Sequence, residues 1–252
     1  MVKGRAPKTG YTRDQFGQAW ADVDHNGCDT RNDILRRDST RVTTSSGTSG
    51  CRVASAVLQD RYSGTAVAFT RGDGQVEIDH VVALSDAWQK GAQQWSSDRR
   101  TAFANDPLNL VATRADLNQQ KSDADAATWL PPYRAARCDY VARQIAVKRA
   151  YALWVTQAEK DAMGRVLAGC PAQVLPTGHE APPATVSTAA PATRTTTPVP
   201  TAGPHQAATG GSGTVYYASC AAARAAGAAP LHRGEDGYRS GLDRDSDGVA
   251  CE

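Results

Sequence analysis

Two stretches of the chain carry residues whose types and spacing could do chemistry. EIDHVVALSDAW (77–88) sets a carboxylate, Asp79, beside an imidazole, His80, and NDPLNLVATRADLNQQKSD (105–123) adds the amides Asn109 and Asn118 with Lys121 close behind. Carboxylate and amide oxygens suit a hard cation such as Mg²⁺ or Mn²⁺. A neutral histidine beside that cation could activate water, and the two together meet the demands of phosphodiester hydrolysis: charge neutralisation, a nucleophile and a stabilised leaving oxygen. In this reading His80 is the general base, Asp79 and Asn118 hold the metal, and Asn109 braces the loop that aims His80. Arg31, Arg114 and Lys121 are candidate phosphate contacts, because charge-assisted bonds to phosphate favour such side chains.

These residues come together only if the elements beneath them fold in the order strand, strand, helix. The patterning predicts a short strand over Gln75–Ile78, a second over Asn109–Ala112 and a helix capped by Thr113 that runs through Asn118 toward Lys121. Adjacent residues on a regular strand face opposite sides, so Asp79 and His80 share a pocket only where the strand ends or bulges. A hairpin region precedes them, with β-type runs at Arg52–Gln59 and Thr65–Thr70 separated by the turn-like RYSG. Helices are predicted over Thr12–Trp20, Ser85–Trp95 and Ser97–Ala104, and over most of the chain to Leu167, where Thr156 and Glu159 form a capping box and Gly169 stops the last helix. The fold class is α+β.

The motif resembles the HNH, or ββα-metal, endonucleases in their Asp-His…Asn…Asn form, and IDHVVAL and NQQKSD are similar to the nuclease core of RNA-guided CRISPR effectors. From GYTRDQFGQAW to LAGC, about residues 9 to 170, the chain resembles actinobacterial secreted HNH-family proteins related to the C-terminal domain of GmrSD restriction enzymes. The resemblance implies a metal-dependent endonuclease, carries the roles above onto His80, Asp79, Asn109 and Asn118, and places Asn118 where many members have His.

Six cysteines, at 28, 51, 138, 170, 220 and 251, include no C-x-x-C and no zinc-finger spacing, so disulfides are expected. The simplest pairing joins Cys28 to Cys51, Cys138 to Cys170 and Cys220 to Cys251. Disulfides imply an oxidising compartment, outside the cell or on its surface, although MVKGRAPKTGYTR has no apolar signal-peptide core. No stretch approaches the ~20 apolar residues of a membrane-spanning helix.

Three parts follow along the chain: an endonuclease-like domain over 1–170, a Pro/Thr/Ala-rich linker over 171–213 too poor in apolar groups to order itself, and a small module over 214–252. All five Trp and three Phe fall in the first part, which carries a net +4 against −2 for the remainder, a weak attraction for a polyanion such as nucleic acid; the substrate expected of the nuclease reading is DNA. In the module, DRDSDGVACE sets Asp243, Asp245 and Asp247 at positions 1, 3 and 5 of an EF-hand-like loop with Gly248 at position 6, and Glu252 stands in as a further ligand for Ca²⁺. With VYYASCAAARAAG this resembles the excalibur extracellular calcium-binding module. Asp22, Asp24, Asn26 and Gly27 repeat the spacing, with Asp33 at position 12, where an Asx-stabilised turn competes with a second cation site. The rival reading is a non-catalytic wall-associated protein in which calcium governs attachment and the larger domain only binds nucleic acid or a partner.

Overall fold

Alternation of apolar and polar residues along Val53–Asp60 produces a strand that buries Val53, Ala56 and Leu58. The computed structural model describes residues 1–178, 215–217, 220–239, 242 and 249–251, and the chain divides into two units, Met1–Thr188 and Ala189–Glu252. Unit one begins with a single 3-10 turn at Arg13–Phe16, where a longer helix was expected; Gly17, at φ 76°, leaves the helical region and ends it. Helix α1 (Thr30–Asp38) is N-capped by the Asp29 carboxylate, which accepts from Asn32 N at 2.8 Å. Strands β1 (Ser39–Thr44), β2 (Val53–Asp60) and β3 (Thr65–Thr70) make an antiparallel sheet in the order β1-β2-β3. The RYSG turn between β2 and β3 is held by Asp60, whose carboxylate accepts from the Tyr62 and Ser63 amides at 3.3 and 3.0 Å and from the Thr113 hydroxyl at 2.6 Å.

Strand β4 (Val76–His80) pairs antiparallel with β5 (Leu110–Arg114), and helix α4 (Ala115–Lys121) follows β5 directly. Thr113 does not cap α4: it lies within β5, its hydroxyl spent on Asp60, and Arg114 occupies the cap position. Between β4 and β5 lie α2 (Leu84–Gln89) and α3 (Ser97–Ala104). The single helix expected over Ser85–Trp95 breaks at Gly91, whose φ of 132° is one that residues with a side chain rarely adopt and where an added Cβ would meet Trp154 at 3.2 Å. Helices α5 (Arg137–Ala150) and α6 (Gln157–Leu167) close the unit, the latter with the Thr156/Glu159 capping box formed.

The β4–β5 ladder separates two apolar layers. Ile78, Leu110 and Ala112 face the sheet and α1, among Ile34, Leu35, Val53 and Leu58. Val111 and Leu117 face Tyr62, Tyr140, Val141 and Met163, across to α5 and α6. A third cluster packs Phe16, Trp88 and Phe103 beside α2 and α3. Disulfides Cys28–Cys51 and Cys138–Cys170 have the expected pairing, with Cα atoms 5.1 and 6.0 Å apart.

In the second unit, α7 (Cys220–Ala225) and the pair β6 (Leu231–His232) and β7 (Val249–Ala250) surround Ala223, Leu231, Leu242 and Ala250, with Cys220 bonded to Cys251. Most of the expected linker, and Asp243, Asp245, Asp247, Gly248 and Glu252, lie outside the described residues.

Candidate active site at the end of β4

The ladder stays regular to its last rung, Asp79 opposite Val111 and His80 opposite Leu110, so the two side chains leave opposite faces. Glu77 and Asp79, two residues apart, face α4; Asn118 and Lys121, three apart on α4, face them in return. Asn118 Nδ2 donates to Glu77 Oε2 at 2.7 Å and Gln119 Nε2 to Glu77 Oε1 at 3.3 Å. One rung deeper, Lys121 Nζ donates at 2.8 Å to both Asp79 Oδ1 and the His80 carbonyl, and the Tyr62 hydroxyl donates to Asp79 Oδ2 at 2.6 Å. Burial pushes the Asp79 carboxyl above its ordinary value, against the pull of Lys121 and Tyr62, and pushes the Tyr62 phenol well above its own.

His80 points the other way. Its Nε2 lies 2.8 Å from the Ala104 carbonyl, the last residue of α3. A carbonyl only accepts, so Nε2 carries the proton and Nδ1 the lone pair. Trp20 stacks on the ring at 6.3 Å between centroids and 18° between planes. Burial, joined by Arg13, lowers the imidazole pKa to about 3 despite the Ala104 bond. Asn109 fastens the turn that follows: its Oδ1 accepts from Val82 N at 2.8 Å, its Nδ2 donates to the Val82 carbonyl at 3.3 Å, and its carbonyl accepts from Val81 N at 2.8 Å.

The structure thus joins Asn118 to Glu77, and Lys121 to Asp79, and sets His80 against α3. It does not bring Asp79 onto Asn118. The expectation of a phosphate contact at Lys121 is corrected: it is fully buried in its ion pair with Asp79, and no phosphate reaches its ammonium without breaking that pair. Arg114 is held by Asp116 at 2.6 and 2.9 Å, and Arg31 sits half-buried in the first turn of α1. Glu77 was missed although its place two residues before Asp79 was the available signal; Trp20 and Tyr62 gave none, since aromatic residues usually serve a core. In the loop at 22–28 the Asp22 carboxylate accepts from the Asn26 and Gly27 amides at 3.2 and 2.9 Å, an Asx-type turn. No group of three or more His, Cys, Asp or Glu poised for a metal occurs among the described residues.

The buried imidazole gives a pH prediction. The folded ring stays neutral down to about 3, while the unfolded ring protonates near its ordinary 6.5. The unfolded chain therefore binds more protons in that window, and stability falls as pH falls through it. Between pH 7 and 5 the loss from His80 is about 2 kcal/mol, while the raised Asp79 works in the opposite sense. Urea unfolding in EDTA should show His80→Gln losing this share of the pH dependence; an unchanged pH dependence would show that the ring is not held neutral.

The model of the family "GmrSD restriction endonucleases, C-terminal domain" matches residues 29–166, and that of the Excalibur calcium-binding domain matches residues 217–252. An "Uncharacterized secreted protein" of Arthroderma benhamiae is 38% identical over 171 residues, which cover 67% of this chain and 80% of the relative. No solved structure matches. No helix among the described residues is long and apolar enough to cross a membrane. By the match over most of its first unit and by this relative, the chain belongs to the family of the GmrSD restriction endonuclease C-terminal domain.

Proposed function

We propose that the first unit is a metal-dependent endonuclease that hydrolyses phosphodiester bonds of nucleic acid, DNA in the first instance, outside the cell or at its surface. The observation that carries the reading is the placement of the His80 ring: anchored through Nε2–H to Ala104, with the Nδ1 lone pair left at the end of a strand whose α4 side carries oxygen donors. Water's oxygen bonds to phosphorus, its proton passes to Nδ1, and the bond from phosphorus to the leaving oxygen breaks. The oxygens of Asp79, Asn118 and Glu77 match Mg²⁺ or Mn²⁺ in type, and to hold such an ion Asp79 would have to release Lys121 or Tyr62. When bound, such an ion supplies charge neutralisation at the phosphate and leaving oxygen. Since His80 and Asp79 leave opposite faces of the ladder, the scissile phosphate must lie across the strand's end, where the two faces meet. Asn109 keeps that end in place.

The test is nicking of supercoiled plasmid by oxidised protein in Mg²⁺, in Mn²⁺ and in EDTA. Metal-dependent nicking supports the reading. One observation favours the rival, a wall-associated protein whose larger unit only binds: both Asp79 oxygens are already taken, by Lys121 and Tyr62. Folded wild-type protein that nicks neither DNA nor RNA in any metal would select it.

For the second unit we propose calcium binding by Asp243, Asp245, Asp247 and Glu252, supported by the loop spacing and the Excalibur match. Calorimetric titration of the full chain should give one Ca²⁺ site that Asp245→Asn weakens by about tenfold or more, as affinity follows ligand charge. Equal affinity in the variant would move the site elsewhere.

A further inference from the structure

Both oxygens of the Asp79 carboxylate are engaged, so a cation reaches it only at the expense of Lys121 or Tyr62. The two partners differ in charge and in how firmly each is held. Tyr62 is locked from several sides: its amide donates to Asp60 at 3.3 Å, its carbonyl accepts from Tyr133 N at 3.1 Å, and its buried ring lies edge to face with Trp129 at 5.1 Å and Tyr140 at 5.6 Å. Its hydroxyl, 2.6 Å from Asp79 Oδ2, is a neutral donor that can stay beside a bound cation. Lys121 is held differently. It is the last residue of α4, and its ammonium, on a flexible four-carbon stem, donates at 2.8 Å to Asp79 Oδ1 and at 2.8 Å to the His80 carbonyl. A carboxylate and a backbone carbonyl are the oxygen types that hold a hard cation. The fully buried ammonium therefore already stands as the cation of this corner of the site. A second cation on the same carboxylate oxygen would face like-charge repulsion in surroundings closed to water.

We propose that Lys121 is the resident cation of the metal-free site: a divalent metal ion binds Asp79 by displacing the Lys121 ammonium from Oδ1, while Tyr62 keeps Oδ2 and fixes the orientation of the carboxylate. The proposal rests on the nuclease reading, which brings a metal to Asp79, and adds to it which bond is exchanged. The ion pair then opposes loading, and metal affinity is set by the exchange of one cation for another.

The experiment uses the full oxidised chain and Mn²⁺ alone, with binding read by calorimetry. Any site in the second unit is common to every variant, so differences between variants report on the first. Lys121→Gln, which keeps a neutral donor, should bind Mn²⁺ about tenfold more tightly than wild type, because affinity follows the charge left at the ligands. Lys121→Arg, which keeps the positive charge, should not, and neither should Tyr62→Phe. Equal affinity in Lys121→Gln, or tighter binding by Tyr62→Phe, would overturn the assignment. A second measurement needs no substitution, so it holds even where a variant fails to fold. Lysine Nζ signals of wild type are followed by NMR: Mg²⁺ should shift that of Lys121 and leave those of Lys90 and Lys148, buried in a separate ion cluster, in place. If Mg²⁺ at a level that supports plasmid cleavage leaves the Lys121 signal unmoved, the proposal is wrong and the nuclease reading stands. Absence of both cleavage and any Mg²⁺-induced shift would overturn both.

Discussion

Replacing His80 by alanine is expected to lower plasmid cleavage by about 10²- to 10⁴-fold, the usual span for a removed general base. On the proposed mechanism the loss should fall on kcat, since there the ring would take the proton in flight and not bind the ground-state phosphate. His80→Gln separates chemistry from scaffolding, because its amide can still donate to the Ala104 carbonyl but cannot accept a proton as a base. A base role predicts that Gln is as inactive as Ala; rescue by Gln would reduce His80 to a spacer between β4 and α3. Asn109→Ala should act through the same residue less severely, because it loosens the Val81–Val82 turn without removing the base. Wild-type activity in His80→Ala would end the assignment.

How much of this was legible beforehand depended on whether a signal was local. The Val53–Asp60 and Thr65–Thr70 pair, α3 and the α6 capping box each declare themselves within a few residues by alternation, turn chemistry or a T-x-x-E spacing. The three disulfides followed from sequence order because each bridges its nearest neighbour. Helix α1 and strand β1 were not called: Thr30–Asp38 is dominated by charged residues, and Ser39–Thr44 has little apolar content, so neither shows periodicity strong enough to read. At the site, Asp79, His80, Asn109 and Asn118 stood out by type, and the alternation along β4 already warned that Asp79 and His80 would part. What could not be read was partnership. That Asn118 meets Glu77 while Lys121 meets Asp79 depends on the rotation of α4 over the ladder, and that Trp20 covers His80 depends on a segment threaded along α3, contacts distant in sequence. Lys121 was misread for the same reason: an exposed-looking basic residue after two glutamines is, in the fold, the buried cation of an ion pair.

Lys90→Met is expected to destabilise the first unit by about 3–5 kcal/mol, the cost of leaving a buried charge uncompensated. Lys90, at the end of α2 and fully buried, donates to Asp125 at 2.9 Å and Glu159 at 2.6 Å and forms an ion pair with Asp86 at 2.7 Å. Lys148 from α5 joins Asp86, at 3.0 Å, to Glu159, and Arg5 reaches Asp86 and Asp125 at 2.8 and 2.7 Å. Three cations thus face three carboxylates. Burial alone would lower the Lys90 pKa, but Asp86 and Glu159 raise it on balance; burial alone would raise Asp86, but Lys148 and Lys90 hold it low. Removing Lys90 leaves one negative charge in excess among groups closed to water. Met fills similar volume, so the loss is electrostatic and not a cavity. The charge-balanced double variant, Lys90→Met with Asp125→Asn, should recover a large part of it, because the amide keeps an oxygen for the Ala127 N–H while shedding the charge. Urea unfolding followed by tryptophan fluorescence at pH 7 measures both. A single variant within about 1 kcal/mol of wild type, the range of an exposed pair, would show that water reaches the cluster. A double variant no more stable than the single would show that Lys90 acts by shape, holding α2 to α6, and not by charge.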